Sequence, residues 1–331
     1  MGLAHDMTAS LEKLRLRLGG IAGLKVQRDL PLRGLSRWRI GGPADLAVEP
    51  QSEPALTEAL QCIAAAKVPC IVIGGATNLL FDDLGLRGVV VRIGPALSGL
   101  SIEGTQVCAQ AGIWTPAFAR RVGCAGLSGA EHAIGIPGTL GGLIAMNGGS
   151  LRKGIGDNLV RARCLDKSGN TLILTRSDCQ FAYRTSTVLA RELIIVSAEF
   201  EFSSRSPAEA RHEMINIMAA RRKKFPRHLP NCGSVFLSDP AMYETVGPPG
   251  KAIEEAGLRG KRIGDAQIAN NHGNFIVNLG SAGSKDVLSL IGIIRQKIYE
   301  RSGFWMNCEV RYVSPYGEVG QAHRFVPSKF V

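Results

Sequence analysis

Residues 126–150 read GLSGAEHAIGIPGTLGGLIAMNGGS and form the most unusual stretch of this 331-residue chain. The stretch contains eight glycines and almost no charge. Glycines lack a Cβ, so the backbone N–H groups of residues 135–142 can converge on one anion. The apolar residues 143–146 follow, and N–H groups at the start of a helix there would also face an anion. The stretch therefore predicts a phosphate cradle.

A second glycine run, GGATN at residues 74–78, follows a short apolar strand. Neither run matches G-x-x-x-x-G-K-[ST] or a strand-linked G-x-G-x-x-G. The pattern argues against a P-loop and against a Rossmann nucleotide site, but it does not name a ligand. Tight turns between strands are the alternative interpretation of each run.

The length of 331 residues indicates two or three domains. With 45% apolar and 20% charged residues, the composition is typical of a globular protein. The formal charge is 39 − 28 = +11. Nucleic acid, an acidic membrane and anionic small molecules are all compatible with this charge. Part of the excess lies in RRKK at 221–224, which is either a solvated helix face or a phosphate-binding group. Because no aromatic platform or recognition helix accompanies it, we expect an anionic small molecule and no nucleic acid.

The eight cysteines form no C-x-x-C pair and have no histidine at zinc-ligand spacing. Most lie in apolar runs, where a free thiol behaves as a small hydrophobic side chain. We therefore expect no metal site and a reducing, cytoplasmic location. The N-terminus lacks a signal-peptide pattern, and no apolar stretch approaches the ~20 residues that a membrane span needs.

The periodicity along the chain indicates an α+β protein. Three pieces are predicted, over residues 1–95, 96–205 and 206–331. Residue 284 is expected to begin the last long helix as its N-cap, and Gly303 to follow its end. Helices are predicted at 8–20, 53–69, 115–124, 207–224, 250–260 and 284–302. Strands are predicted at 86–93, 160–166, 171–175, 193–202, 274–280 and 308–313, with a strand–turn–strand at 35–50.

Ser234 lies in PNCGSVFLSDP, residues 230–240, and its role cannot be read from its neighbours alone. A nucleophile elbow, G-x-S-x-G, needs a glycine two positions after the serine. Phe236 occupies that position. The local sequence leaves a nucleophile, a proton donor and a turn hydroxyl all open.

Nine segments, taken together and in order, resemble the MurB family of FAD-dependent UDP-N-acetylenolpyruvoylglucosamine reductases. The resemblance covers roughly residues 24–315, and YRTS at 183–186, without an inserted loop, is similar to the type II branch. It implies a vanillyl-alcohol-oxidase-type (PCMH-like) FAD-binding fold of two α+β subdomains with a C-terminal α+β substrate domain. The segments are WRIGGPADLAVEP, VIGGATNLLF, GLSG…GIPGTLGG, MNGG, FAYRTS, GSVF, GKAIEEAGLRGKRIG, GNFIVNLG and CEVRYV.

The resemblance also implies roles for residues of this sequence. Arg184 would bind and polarise the enolpyruvyl substrate, Ser234 would donate a proton to carbon, and Glu309 would be the acidic partner at that carbon. NADPH would supply hydride, the substrate would be a UDP-sugar of peptidoglycan synthesis, and the enzyme would be a monomer or weak dimer. The substrate-binding set would be Tyr183, Arg184, Arg222, Lys251 and Asn274. The FAD-binding set would be Ile73, Gly74, Gly75, Ala76, Thr77, Asn78, Leu79, Gly135, Ile136, Pro137, Gly138, Thr139, Gly141, Gly142, Ala145, Asn147 and Gly148.

Three departures from the family pattern keep alternatives open. Leu237 and Ser238 replace a cation and an amide in G-S-x-F-[KR]-N-P, and an extra residue precedes the proline. M-N-A-G-A is here MNGGS, and Asn307-Cys308 stands where proline commonly precedes the glutamate. Three interpretations stay open. The chain is a MurB whose diphosphate contact comes from another basic residue, namely Arg221, Arg222, Lys251 or Arg262. Otherwise it is a flavin reductase of a different enol or dehydro substrate, or a non-catalytic flavin-binding protein.

Overall fold

The computed structural model describes residues 2–226 and 228–328, with side chains from residue 9 onward. None of the helices in this part is long and apolar enough to cross a bilayer. The helices are α1 (Gly2–Gly19), α2 (Glu53–Ala66), α3 (Thr115–Cys124), α4 (Leu140–Ala145), α5 (Thr187–Ala190), α6 (Pro207–Lys224), α7 (Pro240–Thr245), α8 (Pro249–Glu255) and α9 (Ser284–Ser302).

The strands are short, and their bounds are as follows. They are β1 (Leu24–Pro31), β2 (Pro43–Pro50), β3 (Cys70–Ile73), β4 (Leu79–Phe81), β5 (Leu86–Arg92), β6 (Leu100–Glu103), β7 (Gln106–Gln110), β8 (Leu127–Ser128), β9 (Leu159–Leu165), β10 (Thr171–Thr175), β11 (Ile194–Glu201), β12 (Ser203–Ser204), β13 (Arg262–Ile263), β14 (Ala266–Ile268), β15 (Ile276–Asn278), β16 (Arg311–Val313) and β17 (Val319–Gln321).

Backbone contacts group the chain into two compact units, and each unit draws on separated parts of the sequence. The first comprises residues 1–28, 46–75 and 88–221, and the second comprises residues 29–45, 76–87 and 222–331. The division into three domains at residues 95 and 205 remains a prediction.

The first unit contains a five-stranded antiparallel sheet in the order β10-β9-β11-β7-β6. Its core includes three phenylalanines with ring centroids 5.3–6.2 Å apart. They are Phe118 of α3, Phe200 of β11 and Phe202, which follows β11. Strand β3 pairs in parallel with β5 in a four-stranded sheet of order β1-β2-β5-β3. Because β3 ends at Ile73, the first glycine run begins directly after this strand.

The second unit has its own hydrophobic core, built around α9. The predicted apolar face of this helix is buried, with at most 2% exposure at Val287, Leu290, Ile291, Ile294 and Ile298. Two small sheets, β13-β14-β15 and β17-β16-β4, belong to the same unit.

Trp38 joins the segment 29–45 to the core of this second unit. Its indole is fully buried and donates to Ile276 O at 2.7 Å, while Asn278 Nδ2 donates to Trp38 O at 2.9 Å. This packing explains why the predicted first strand of 35–50 is wrong. The backbone turns through positive φ at Arg39 (58°) and Gly41 (133°), so an extended strand begins only at Pro43.

The long helix at 284–302 is confirmed, and Gly303 ends it in the left-handed conformation with φ 70°. The prediction that Ser284 is the N-cap is wrong, because Gly283 holds that position. Ser284 is fully buried, and its N–H and hydroxyl both donate to the Asp83 carboxylate at 2.9–3.0 Å. A carboxylate from a distant part of the sequence therefore satisfies the start of α9. Helix α1 also begins earlier than predicted, and strand β1 was not predicted.

Asp83→Ala removes the acceptors at the start of α9. We expect the free energy of unfolding to fall by about 1–2 kcal/mol, the usual cost of losing a helix cap with a favourable charge. Urea denaturation followed by far-UV circular dichroism measures it. Asp83→Asn is the matched control, because it keeps one acceptor oxygen and should lose less. Equal stability of the wild type and Asp83→Ala would show that the contact contributes nothing.

Candidate active site

Gly74 and Gly75 of the first glycine run lie beside the second glycine run within the first unit. A Cβ added at Gly74 would lie 2.0 Å from Thr139 Oγ1, a separation that real Cβ atoms do not show. Thr139 is the N-cap of α4 and follows Gly138, which has φ 125°. The absence of a side chain at Gly74 therefore permits the close approach of the two segments that were predicted to hold FAD.

Several amide groups at this junction are available to a ligand. Within residues 2–226 and 228–328, no backbone acceptor takes the N–H of Gly74, Gly75, Gly138 or Gly142. The hydroxyl of Thr115 is fully buried and also has no partner in that part of the chain, while Thr115 N donates to Gly138 O at 2.9 Å. N–H and O–H donors grouped at one junction suit an anion, so these residues fit the pyrophosphate of FAD.

Gly141, another predicted FAD residue, and its neighbour Leu140 have amides that are bonded within the protein. Leu140 N and Gly141 N donate to Ile113 O and Ala111 O at 2.9 Å, so these two amides are not open to a phosphate. A Cβ at Gly141 would lie 2.9 Å from Ala111 Cβ. Backbone carbonyls therefore satisfy these two amides at the start of α4, where N–H groups facing an anion were expected from the sequence.

Arg221 crosses the second glycine run. A Cβ at Gly135 would lie 2.3 Å from Arg221 Cδ, so the arginine stem occupies the space that a side chain at 135 would take. Ile136 N donates to Ala133 O at 2.9 Å, which fixes the loop beside it. Ile136 and Pro137 are half-buried. The contact places a permanent cation next to the loop, where it favours a bound anion.

Arg184 lies at a strained turn in the first unit. Ala182 and Thr185 exchange two backbone hydrogen bonds of 3.2 Å, and Arg184 between them has φ 57°. L-residues pay roughly 1–2 kcal/mol for this conformation, which glycine adopts freely. The guanidinium lies 5.0 Å from the Tyr183 ring centroid, and its Nη2 donates to Gly149 O at 3.1 Å. Such strain at a non-glycine residue is a known feature of functional sites.

Three residues predicted to bind FAD have structural contacts near this turn. Asn147 Nδ2 donates to Ala182 O at 3.0 Å, and Asn147 Oδ1 accepts from Gly156 N at 3.1 Å. Ala145 O accepts from the hydroxyl of Ser186 at 2.6 Å. Gly148 N donates to Leu143 O at 2.7 Å. Asn147 thus links the segment that carries Arg184 to the turn at Gly156 through the two ends of its amide.

Ser234 and Glu309 lie on neighbouring segments of the second unit. Phe236 and Cys308 form an antiparallel bridge. The carbonyl oxygen of Val235 accepts from two consecutive amides, Glu309 N at 2.8 Å and Val310 N at 3.3 Å. Two residues facing one is the pattern of a β-bulge, which redirects a side chain. A carboxylate is therefore brought to the segment that carries the serine, which the local sequence around residue 234 could not indicate.

Asn274 holds the serine segment from its other side. Its Oδ1 accepts from Phe236 N at 2.9 Å, its Nδ2 donates to Phe236 O at 3.0 Å, and its backbone oxygen accepts from Val235 N at 2.9 Å. The residue is only 4% exposed. With both ends of its amide engaged and little exposed surface, Asn274 fixes the segment that follows Ser234. Its contact with a substrate stays a prediction.

Residues 76–79, predicted to bind FAD, belong to the second unit, as Ser234 and Glu309 do. Ala76 has φ 46°, and Thr77 is half-buried. Asn78 Nδ2 donates to Glu309 O at 3.0 Å, and Leu79 O accepts from the Cys232 thiol at 3.4 Å. The Asn78 side chain therefore supports the segment of the glutamate.

Cys232 packs in the core, as expected. Burial raises the pKa of its thiol to about 12, so the thiol is protonated and unreactive at neutral pH. All eight cysteines are free thiols. A nucleophilic role for this neighbour of Ser234 is therefore not supported.

The four basic candidates for anion binding differ in their partners. Lys251 forms an ion pair with Glu255 at 3.5 Å, and Arg262 binds Asp265. Arg222 lines a cavity of about 610 Å³ in the second unit. The other residues lining this cavity are Phe225, Pro226, His228, Leu229 and Asn271. Arg221, in the first unit, packs against the glycine loop at Gly135.

Arg184→Gly and Arg184→Ala test the strain at the turn, since both remove the guanidinium but only glycine adopts positive φ freely. We expect the glycine variant to have a free energy of unfolding about 1 kcal/mol higher than the alanine variant. Denaturant titration of the pair measures the difference. If alanine is as stable as glycine, the strain assigned to this turn is absent.

Asn274→Ala leaves the buried N–H and C=O of Phe236 without partners. We expect the free energy of unfolding to fall by about 1–3 kcal/mol, the usual cost of stranding buried polar groups. Thermal and urea denaturation check this. A residue that serves only to contact a ligand would leave the stability of the ligand-free protein unchanged, and that result would restore the substrate-binding interpretation.

Comparisons with known proteins agree with this geometry. Residues 225–313 match the C-terminal domain of UDP-N-acetylenolpyruvoylglucosamine reductase, and residues 44–175 match an FAD-binding domain. The second match confirms the prediction of FAD. A reductase of this name from Corynebacterium glutamicum is 43% identical, with 96% of this chain and 95% of the relative covered. A reductase from Lactococcus lactis subsp. cremoris (strain SK11) is 34% identical, with 89% of this chain and 97% of the relative covered.

The crystal structure of MurB from Thermus caldophilus matches with a TM-score of 0.74 and 29% identity, covering 87% of this chain and 99% of that one. Together with the FAD-binding match, this confirms the predicted α+β FAD-binding fold with a MurB C-terminal domain. The chain belongs to the MurB family of FAD-dependent UDP-N-acetylenolpyruvoylglucosamine reductases.

Proposed function

We propose that the protein reduces the enolpyruvyl group of UDP-N-acetylglucosamine enolpyruvate to the lactyl ether of UDP-N-acetylmuramate, with NADPH as the hydride donor. Family membership supports the reaction class. The observation that carries the assignment in this chain is the bulge that places Glu309 on the segment next to Ser234. We place the reaction in the cytoplasm and in peptidoglycan precursor synthesis.

FAD, when bound, supplies the redox chemistry by passing hydride from NADPH to the terminal carbon of the enolpyruvyl group. The protein must hold FAD, orient the substrate and handle charge and protons. The converging amides of Gly74, Gly75, Gly138 and Gly142 and the cation of Arg221 would hold the pyrophosphate. These groups are donors or positive, as a doubly charged pyrophosphate requires.

Arg184 would stabilise the charge that develops during the reaction. Negative charge grows at the carboxylate-bearing carbon and spreads into the carboxylate after hydride addition. A planar guanidinium with permanent charge and two parallel donors is suited to this group. Because the turn fixes the backbone of Arg184, little reorganisation is needed as the charge appears.

Ser234 would donate its hydroxyl proton to the same carbon and would not attack it. A serine hydroxyl is a weak acid, so it needs a strongly basic carbon and a fixed geometry. Asn274 and Val235 would supply the fixed geometry by holding the segment that carries Ser234, and Glu309 would be the nearby acidic partner. Proton transfer by a positioned group of this kind contributes about 10²–10⁴-fold to a rate.

Arg222 would contact the diphosphate of a UDP-sugar. It lines the cavity together with Phe225 and Asn271, so a cation, an aromatic ring and an amide are presented together. Cations and amides bind phosphate oxygens and base edges, and rings stack on bases. We infer an anionic UDP-sugar as the substrate and a monomer or weak dimer as the active form.

A second candidate function is reduction of a different enol or dehydro compound by the same chemistry. The observation that favours it is Leu237-Ser238, where the family has a basic residue and asparagine. Anaerobic reduction of the flavoenzyme with NADPH, followed by UDP-N-acetylglucosamine enolpyruvate, separates the two functions. Rapid recovery of oxidised-flavin absorbance supports the cell-wall substrate. If NADPH reduces the flavin but UDP-N-acetylglucosamine enolpyruvate does not reoxidise it, the substrate is another unsaturated compound.

Ser234→Ala should leave flavin reduction by NADPH nearly unchanged and slow the oxidative half-reaction by about 10²–10⁴-fold, because only the second step needs the proton. Stopped-flow absorbance of the flavin measures both steps. Ser234→Cys is the matched variant, since a thiol can also donate a proton, and it should keep more activity than alanine. Equal losses in both variants, or collapse of the reductive step, would contradict the proton-donor role.

A further inference from the structure

The segment that carries Glu309 is also held by the C-terminal tail, residues 314–328, which lies beyond the region matched by the MurB C-terminal domain. We propose that this tail is a positioning element for Glu309 and acts through Gln321 and His323. The inference rests on the proposed function, because it concerns how the proposed acidic partner of Ser234 is fixed.

The tail returns alongside the strand that follows Glu309. Strand β17 pairs antiparallel with β16, with Arg311 opposite Gln321 and Val313 opposite Val319. Immediately after β17, Ala322 is fully buried and its N–H donates to Val310 O at 3.0 Å. The tail is therefore anchored next to the bulge by backbone hydrogen bonds.

Two tail side chains bind both backbone groups of Cys308, the residue that precedes Glu309. His323 Nδ1 accepts from Cys308 N at 3.0 Å, and Gln321 Nε2 donates to Cys308 O at 2.9 Å. Cys308 is fully buried. Buried backbone groups outside a regular ladder need such partners, and a β-bulge interrupts the ladder at this point.

The remaining contacts of this segment come from other elements of the second unit. Val235 O takes the N–H of Glu309, and Asn78 Nδ2 donates to Glu309 O. Arg295 of α9 donates from Nε to Met306 O at 2.8 Å. The tail thus completes a set of contacts that fixes the backbone on both sides of the glutamate. Catalytic groups need placement to within about 0.5 Å, so each missing contact affects their action.

His323 is suited to its acceptor role at neutral pH. A ring nitrogen that accepts from an N–H must be unprotonated. Burial and the cations Arg295 and Arg324 lower the pKa of His323 to about 4, so the ring stays neutral. The proton on the neutral ring is then on Nε2, and Nδ1 faces Cys308.

The test compares His323→Leu with His323→Asn in the flavin-loaded full-length enzyme. Asparagine Oδ1 can replace Nδ1 as the acceptor for Cys308 N, whereas leucine cannot. We expect His323→Leu to reduce its flavin with NADPH within about two-fold of the wild type. Its oxidative half-reaction should be about 10- to 100-fold slower, the scale of a misplacement of up to 1 Å. His323→Asn should recover most of that rate.

A second readout does not depend on turnover. Hydrogen exchange of the peptide containing Cys308 should be faster in His323→Leu than in His323→Asn, because only asparagine protects the amide. His212→Leu, at an exposed histidine of α6, is the matched control and should leave both half-reactions and the exchange unchanged. If the leucine variant does not fold, Gln321→Ala tests the other contact to Cys308. Gln321→Ala should also slow the oxidative half-reaction.

Three outcomes would overturn the proposal. These are an unchanged oxidative step in His323→Leu, equal loss in both half-reactions, and an asparagine variant as slow as leucine. Glu309→Ala in the same assay separates this inference from the proposed function. If Glu309→Ala has no effect on the oxidative step, the proposed role of the glutamate fails and the inference fails with it. If Glu309→Ala is slow and His323→Leu is not, only the positioning role is wrong.

Discussion

The carbonyl oxygen of Val235 accepts from both Glu309 N and Val310 N, and the proposed chemistry of the second unit depends on that bulge. A regular antiparallel ladder would set the residues in strict one-to-one pairs. The extra residue instead changes the direction of the Glu309 side chain relative to its neighbours. An interrupted ladder leaves backbone groups to be satisfied elsewhere, which is why Asn78, Gln321 and His323 all donate to or accept from this short segment.

Each of these hydrogen bonds is worth only about 0.5–1.5 kcal/mol in stability. Their combined effect is geometric, since they restrain the backbone from different directions in a buried, low-dielectric setting. Asn274 does the same for the serine segment by binding both backbone groups of Phe236. The second unit therefore uses neutral amides and one neutral imidazole to place a hydroxyl and a carboxylate. Neutral groups suit this purpose because they add no charge that would compete with an anionic substrate.

The glycines of the first unit show two uses of a missing Cβ. Gly74 permits contact with Thr139 and leaves its N–H available, whereas Gly141 permits contact with Ala111 and has its N–H bonded. In the sequence, Gly74 and Gly141 each lie in a glycine-rich run, and nothing in those runs distinguishes them. A pattern of glycines predicts that backbones approach closely, but it does not distinguish a ligand from another strand or helix as the neighbour. Only the hydrogen-bond partner of each amide makes that distinction.

Sequence reasoning succeeded where the determining forces are local. The helix 284–302 follows from its apolar periodicity, and the prediction of FAD follows from ordered motifs. The catalytic roles of Ser234 and Glu309 stay predictions. It failed where partners are distant in the chain, because nothing in the neighbouring residues records them. Asp83 lies 201 positions from Ser284, and Asn78 lies 231 positions from Glu309. The left-handed turn at Arg184 was equally hidden, since arginine has no preference for positive φ.

The altered motif after Ser234 has a structural role that its sequence alone does not reveal. Leu237 N continues the pairing with Asn307 O at 2.9 Å, and Asp239 accepts from Ala241 N at 3.0 Å as the N-cap of α7, with Pro240 in the first turn. The extra residue before the proline thus starts a helix. A segment that has a cation in the family pattern here provides a helix cap, so the proposed contact with a diphosphate needs a cation from another part of the chain. We propose Arg222, which lines the cavity beside Phe225, for that charge, because its position leaves the segment of Ser234 unaltered.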